Sequence, residues 1–161
     1  MSRPVLVSAC LLGVRCRYDG KSKSNSSVMD YLIGKDVIPI CPEADGGLPT
    51  PRRPSRLKGG DGFAVLQGRA LVVDDHGQDV TSNFLEGAKK ALLAAAQSGA
   101  KSAILKENSP SCGLGFAPVD GEHDIGKTKD RRSGVACALL IEHGLEILTE
   151  RDLGRFSRGG S

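Results

Sequence analysis

Residues 106–113 of the chain read Lys-Glu-Asn-Ser-Pro-Ser-Cys-Gly, directly after the apolar run Ser-Ala-Ile-Leu at 102–105. The apolar run has the length and composition of a strand, and the polar residues behind it form a loop rather than a helix. Pro110 fixes its own backbone and biases the preceding serine toward extended geometry, whereas Gly113 allows a turn that a side chain would resist. We therefore expect a strand that ends in a stiff loop and presents Cys112 on a turn.

Two further cysteines also follow apolar runs. Cys10 comes after Val-Leu-Val-Ser-Ala at 5–9, and Cys41 comes after Val-Ile-Pro-Ile at 37–40. A single cysteine in such a place is usually a small buried side chain. Three at equivalent strand ends are different, because the carboxyl ends of parallel strands share one edge of a sheet, where ligands bind. We therefore expect Cys10, Cys41 and Cys112 to converge.

Helix signals alternate with these strands, and each helix is closed by a glycine and followed by an apolar segment. The helices are predicted at 26–33, at 82–97 and, capped by Ser133, up to His143. Residues 145–148 are predicted as the final strand. This alternation favours right-handed crossovers and a mainly parallel sheet. The sequence thus predicts a single α/β domain over residues 1–153, Rossmann-like and three-layered with helices on both faces, and a disordered tail over residues 154–161.

The middle of the chain is rich in proline and glycine. Residues 42–62 contain four prolines and five glycines, so we expect no helix or central strand there but an ordered lid over the strand ends. Apolar residues at 63–66 and 70–73 flank Gln-Gly-Arg, which predicts a β-hairpin. Four basic side chains of this region fit either a solvated rim or an anion contact. They are Arg52, Arg53, Arg56 and Lys58.

Composition narrows the class of partner. The 161 residues carry a net charge of +3, from 22 basic and 19 acidic side chains, and include no tryptophan. Neither the charge nor the aromatic content favours nucleic acid, so a small-molecule partner is expected. There is no signal segment and no run long enough to cross a membrane, which predicts a cytoplasmic protein without a membrane partner. Five cysteines, an odd number, indicate thiols that serve metals or catalysis rather than disulfides.

Thiolates are soft ligands that select zinc, copper(I) or iron–sulfur clusters. The cysteines are widely separated and lack C-x-x-C pairs, which argues against the usual structural zinc modules. Three cysteines without an obvious fourth would leave an iron–sulfur cluster with one iron open to substrate. Cys16 lies in a glycine-flanked loop and either lines the site or supplies a fourth ligand. Cys137 lies among apolar residues of the last helix, so we predict that it belongs to the core.

Several uncommon strings of residues occur together in this chain. They are Ser8-Ala-Cys-Leu-Leu-Gly13, Arg17-Tyr-Asp-Gly20, Cys41-Pro-Glu43, Gly46-Gly-Leu-Pro-Thr-Pro-Arg52, Gly77-Gln-Asp-Val-Thr81, Lys106-Glu107 and Ser109-Pro-Ser-Cys-Gly113. In these strings the sequence resembles a bacterial family long labelled only as a domain of unknown function, whose characterised members are thiouracil desulfidases. The resemblance covers nearly the whole chain.

The resemblance implies a [4Fe-4S] cluster with one iron that no protein ligand binds. Its three ligands would be Cys10, Cys41 and Cys112. The open iron would bind the sulfur of a thiolated pyrimidine or nucleoside, and the implied reaction is a non-redox conversion of C=S to C=O that releases sulfide. The family uses an acidic residue and a serine at this site. Glu43 and Ser109 are accordingly predicted as catalytic, and Ser111 and Arg52 as substrate-binding.

Three alternatives remain open at the level of sequence. The protein could be a cysteine-based metal-binding or redox-sensing module without turnover, and a thiolated RNA could replace the small substrate. Residues 121–128 match the letters of a phosphate-binding loop, G-x-x-x-x-G-K-[ST]. However, acidic residues lie inside that pattern and a gap separates it from the next helix, so we do not expect it to bind phosphate.

Overall fold

Two sheets organise the part of the chain that the computed structural model describes, which is residues 4–17, 19–20, 25–113, 119–120 and 133–153. The strands are β1 (Pro4–Ser8), β2 (Asp36–Ile40), β3 (Ser55–Lys58), β4 (Leu71–Asp74), β5 (Ser102–Leu105), β6 (Val119–Asp120) and β7 (Glu146–Thr149). The helices are α1 (Ser26–Tyr31), α2 (Pro42–Asp45), α3 (Gly62–Leu66), α4 (Thr81–Ser98) and α5 (Val135–Glu142), and a 3-10 helix (Ala9–Leu12) follows β1.

The larger sheet has the order β2-β1-β5-β7, and all of its pairings are parallel. Alternate residues of β1 face opposite sides. Val5 and Val7 pack with Val28 of α1, whereas Leu6 packs on the opposite face with side chains of α4 and α5. The prediction of a mainly parallel α/β domain with helices on both faces is confirmed. Pro39 lies in β2, at the sheet edge, where the missing N–H of proline leaves no central pairing unsatisfied.

Helix α4 is the long element that joins the two sheets. It spans one residue more at each end than predicted, and Gly99 ends it with a φ of 77°, as the glycine signal indicated. Phe84 and Ala88 pack against the smaller sheet, whereas Ala91 and Ala95 pack against the larger one. The helix thus supplies core to both halves of the fold.

Three predictions for the middle of the chain are wrong, and the smaller sheet accounts for two of them. Its order is β4-β3-β6, with β3 and β4 antiparallel. Residues 42–62 were expected to hold no helix or central strand, but α2 begins at Pro42 and β3 lies in the middle of this sheet. Residues 63–66 are not a hairpin strand, because they belong to α3, and the partner of β4 is β3. Five apolar residues can form either a short strand or one helical turn, and here Asp61 caps the turn by accepting the N–H of Ala64 at 3.3 Å.

Some predictions fall outside the described residues, namely the 121–128 loop and the tail at 154–161.

Cys137 is fully buried between α4 and the larger sheet, so its core assignment is confirmed. None of the described helices is long and apolar enough to cross a membrane.

Candidate active site

A cavity of about 430 Å³ opens at the carboxyl ends of β1, β2 and β5. This volume suits a small ligand. Four cysteines line the cavity: Cys10, Cys16, Cys41 and Cys112. The thiols of three strand ends therefore share one space, together with the loop thiol that the sequence left between a lining and a ligand role.

The thiols interact with one another as well as with the backbone. A hydrogen bond with Cys10 is the main cause that raises the pKa of the Cys16 thiol to about 11. A hydrogen bond with Cys16, together with burial, raises the pKa of the Cys41 thiol well above its usual range. Burial raises the pKa of the Cys112 thiol to about 12 despite hydrogen bonds with Ser8 and Ser111. Metal binding at these thiols would therefore release protons.

Cys41 is placed by the start of α2. It is the N-cap residue of that helix, its N–H is accepted by Asp45 Oδ2 at 3.2 Å, and Pro42 occupies the first helical position. Its Sγ lies 3.6 Å from the carbonyl oxygen of Cys16. Helix α2 thus fixes the cysteine and aims the next acidic residue, Glu43, into the same cavity.

The loop that carries Cys112 is held by the start of α5. Val135 donates its N–H to Pro110 O at 2.9 Å, and Cys137 donates its N–H to Ser111 O at 3.0 Å. These are N–H groups that a helix cannot satisfy internally. Gly134 makes the approach possible, because a Cβ there would lie 2.5 Å from the Ser111 carbonyl carbon. The loop is therefore built by two segments that are distant in sequence.

A chain of hydroxyls leads from this loop to Glu43. Ser109 Oγ accepts the N–H groups of Ser111 and Cys112 at 3.1 and 3.0 Å, and it lies 3.0 Å from Ser111 Oγ. Ser111 Oγ in turn donates to Glu43 Oε2 at 3.1 Å. Ser109 therefore stabilises the turn, while Ser111 is the serine that contacts the carboxylate.

Arg52 holds the other oxygen of the same carboxylate. Its Nε donates to Glu43 Oε1 at 3.0 Å, and the two side chains are 6% and 13% exposed. The predicted site residues outside the thiols, namely Glu43, Arg52, Ser109 and Ser111, thus lie in one network on the cavity wall.

Sequence reasoning missed the polar residues at the base of the loop. The buried Glu107 accepts a hydrogen bond from Thr149 Oγ1 at 2.9 Å and pairs with Arg151 at 2.8 Å. Lys106 pairs with Glu150 at 2.9 Å, and its N–H is accepted by Ser8 Oγ at 3.0 Å. The available signal was the buried polar residue that ends each of two strands, Ser8 in β1 and Thr149 in β7.

The donor set of this cavity fits an iron–sulfur cluster, because several soft thiol ligands face one space. Among the described residues, no group of three or more histidine, cysteine, aspartate or glutamate side chains is arranged to hold a single metal ion. That finding concerns a site for one metal ion. In a four-iron cluster each thiolate binds a different iron atom, so the thiolates need not converge on one point.

A family model described as 2-thiouracil desulfurase matches residues 5–152. The chain belongs to this family. The match spans every strand end that contributes to the cavity. The resemblance stated from the sequence strings is confirmed, and an enzyme of the thiouracil desulfidase type is supported.

Two relatives extend the 2-thiouracil desulfurase assignment. An uncharacterized protein of Bacillus subtilis, YbbK, is 43% identical over 149 residues, which cover 92% of this chain and 97% of that protein. A solved structure of the [4Fe-4S]-dependent thiouracil desulfidase TudS is 36% identical and superposes with a TM-score of 0.77, covering 98% of this chain and 97% of the other. The family and this structural neighbour support an iron–sulfur cluster.

Proposed function

We propose that the protein removes sulfur from a thiolated pyrimidine of the 2-thiouracil kind, exchanging C=S for C=O and releasing sulfide without net oxidation or reduction. The cofactor proposed is a [4Fe-4S] cluster held by Cys10, Cys41 and Cys112, with one iron that no protein ligand binds. The observation that supports this proposal most directly is the single cavity shared by these thiols and by Glu43.

When bound, such a cluster supplies an exposed Lewis-acidic iron with affinity for the sulfur of a C=S bond. The protein side chains manage the water and its protons. Glu43 is proposed to accept a proton as water attacks the thiocarbonyl carbon, and to return it to the sulfur as the C–S bond breaks and hydrosulfide leaves. The second proton of the water passes from the new carbonyl oxygen to solvent. One water is consumed for each sulfide released, so atoms and electrons balance.

The hydrogen bonds favour Ser111 over Ser109 as the serine that acts with Glu43. Ser111 Oγ contacts both Glu43 Oε2, at 3.1 Å, and the Cys112 Sγ, at 3.7 Å. It therefore stands between the carboxylate and a proposed cluster ligand. Ser109 already accepts two backbone N–H groups, so we propose that it positions the loop.

Two cations of the cavity wall, Arg52 and Lys106, favour an uncharged base at their positions over a nucleotide phosphate. Two cations of the wall already have carboxylate partners, since Arg52 pairs with Glu43 and Lys106 pairs with Glu150. A substrate phosphate at either position would compete with a carboxylate that is already in place.

The experiment is anaerobic reconstitution with iron and sulfide, followed by incubation with 2-thiouracil. We expect about four irons per chain, uracil as the product, and an equal amount of sulfide. Iron uptake without uracil would favour the metal-binding or redox-sensing alternative. A protein that takes up no iron in this experiment would contradict the proposed cofactor.

A further inference from the structure

Arg52 is a buried cation that donates four hydrogen bonds to protein acceptors. Its Nη1 donates to Pro49 O at 3.1 Å and to Thr50 Oγ1 at 2.9 Å, and its Nη2 donates to Cys16 O at 2.8 Å. With the bond from Nε to Glu43, these contacts occupy four of the roughly five N–H donors that a guanidinium offers. A substrate group could therefore use only one N–H donor of this guanidinium without displacing a protein acceptor.

The acceptors of Arg52 belong to parts of the site that must keep a fixed relation. Glu43 follows the proposed ligand Cys41 by two residues, and its second oxygen is held by Ser111 from the other side of the cavity. The carbonyl of Cys16, which Arg52 also holds, is the group that lies 3.6 Å from the Cys41 Sγ. One planar side chain thus joins the carboxylate to the loop that carries Cys16.

We propose that Arg52 is a positioning residue, which orients the Glu43 carboxylate and anchors the Cys16 loop, and that it does not bind substrate. This inference rests on the proposed function, because Glu43 has to act on the reacting water. It replaces the substrate-binding role expected from the sequence. The planar fork of arginine suits this task, since a lysine ammonium offers no comparable set of parallel donors to several acceptors.

The kinetic test compares Arg52→Met and Arg52→Lys with the wild-type protein on 2-thiouracil. A positioning residue predicts that Arg52→Met lowers kcat about 10²-fold, which is the effect of a small misplacement of a reacting group, while KM stays within about threefold. Arg52→Lys should recover only part of the loss. A raised KM with unchanged kcat would overturn the inference in favour of a substrate contact.

A double-mutant cycle with Glu43→Gln separates the two roles further. If Arg52 acts through Glu43, adding Arg52→Met to Glu43→Gln should change kcat by less than about threefold. Additive losses would mean that Arg52 acts independently of the carboxylate, and the inference would fail. Arg53→Met is the matched control, because Arg53 also pairs with a carboxylate, that of Asp75, but its side chain is 48% exposed.

A readout that needs no cluster is the alkylation of Cys16 by iodoacetamide in cluster-free protein, followed by peptide mass spectrometry. The pH profile of the rate separates two effects of Arg52→Met. Loss of the positive charge raises the Cys16 pKa, whereas loss of the bond to Cys16 O should speed alkylation of the thiolate itself several-fold. Arg53→Met should match the wild type in both. Circular dichroism identifies an unfolded variant, and Arg52→Lys then carries the comparison. Wild-type protein that binds iron but forms no uracil would refute the proposed function instead. Equal alkylation rates of the Cys16 thiolate in Arg52→Met and in the wild type would by themselves refute the anchoring by Arg52.

Discussion

At the scale of single residues, Glu43 is defined by what holds it. One carboxylate oxygen accepts a hydrogen bond from Arg52 and the other accepts one from Ser111, so its direction is set from two sides. A carboxylate held in this way loses little freedom when it meets a substrate and a water. Glu43 is not among the proposed cluster ligands, so its role in the reaction can be tested separately from cluster binding.

Substituting Glu43 tests that separation. We expect Glu43→Gln to keep the visible absorption of the reconstituted cluster and to lower kcat for 2-thiouracil by about 10²- to 10⁴-fold, since the amide cannot take the proton. Absorption spectra and initial rates provide the measurement. Glu86→Gln, at an exposed position of α4, is the control and should match the wild type. Loss of the absorption in Glu43→Gln would show that the residue serves the cluster instead.

The family resemblance indicated Glu43, because it occupies the acidic position of the string Cys41-Pro-Glu43, two residues after a proposed ligand. The position of Arg52 was equally visible, but its role depends on where Glu43 and the carbonyl of Cys16 lie after folding. An arginine in a proline-rich stretch looks the same in the sequence whether its guanidinium meets a substrate or four protein acceptors. The hydrogen-bond partners of a side chain are a property of the folded chain.

At the scale of elements, the contact of α2 with α4 places Cys41. Gly87 of α4 faces the start of α2, and a Cβ there would lie 1.8 Å from the carbonyl oxygen of Pro42. On the other side, a Cβ at Gly46 would lie 2.0 Å from Asn83 O. The absence of a Cβ at both glycines therefore allows the backbones of α2 and α4 to come into contact, and this contact fixes the distance between the two helices.

Gly87→Ala tests this close approach. Alanine in a helix interior normally gains about 1 kcal/mol over glycine. Here we expect a net loss of about 1–3 kcal/mol in the free energy of unfolding, because the backbone carbonyl cannot move away cheaply. Urea denaturation of cluster-free protein measures the effect, and Ser82→Ala on the exposed face of α4 is the control. A stabilised Gly87→Ala protein would contradict the contact.

The predictability of an element depended on its length. The eighteen residues of α4 display a helical period and a glycine stop, and the cysteine-bearing strands are continuous apolar runs, so local pattern sufficed. Helix α2 has four residues, which is too few to display a helical period. Its start at Pro42 could not be predicted, because the other prolines nearby indicated turns. Strand β3 buries Leu57 fully, and its place in the middle of a sheet comes from its partners β4 and β6.

At the scale of the whole molecule, the site is an assembly of distant segments. The four thiols of the cavity come from the 3-10 helix and the loop that follow β1, from the residue after β2, and from the loop after β5. The parallel sheet order explains the convergence of the strand ends, and this part of the site could be predicted. The hydrogen bond from Ser111 to Glu43 joins residues that are 68 positions apart, and no local sequence pattern predicts it.

Serine substitutions at the cysteines test how the assembly holds iron. We expect Cys10→Ser, Cys41→Ser and Cys112→Ser each to lose most of the iron after anaerobic reconstitution, because each removes one of three thiolate anchors. Cys16→Ser should keep both iron and turnover. Iron and sulfide analysis per chain provides the measurement. If Cys16→Ser also strips the iron, the cluster is fully ligated by protein and the proposed open iron is wrong.

The hydrogen bond between Gly134 N and Gly113 O, 2.8 Å long, has a consequence for how the protein can change. The chain leaves the neighbourhood of Cys112 at one glycine and returns to the same point at the other. The start of α5 and the turn that presents Cys112 are therefore joined at this point, so a displacement of α5 would be passed directly to the thiol.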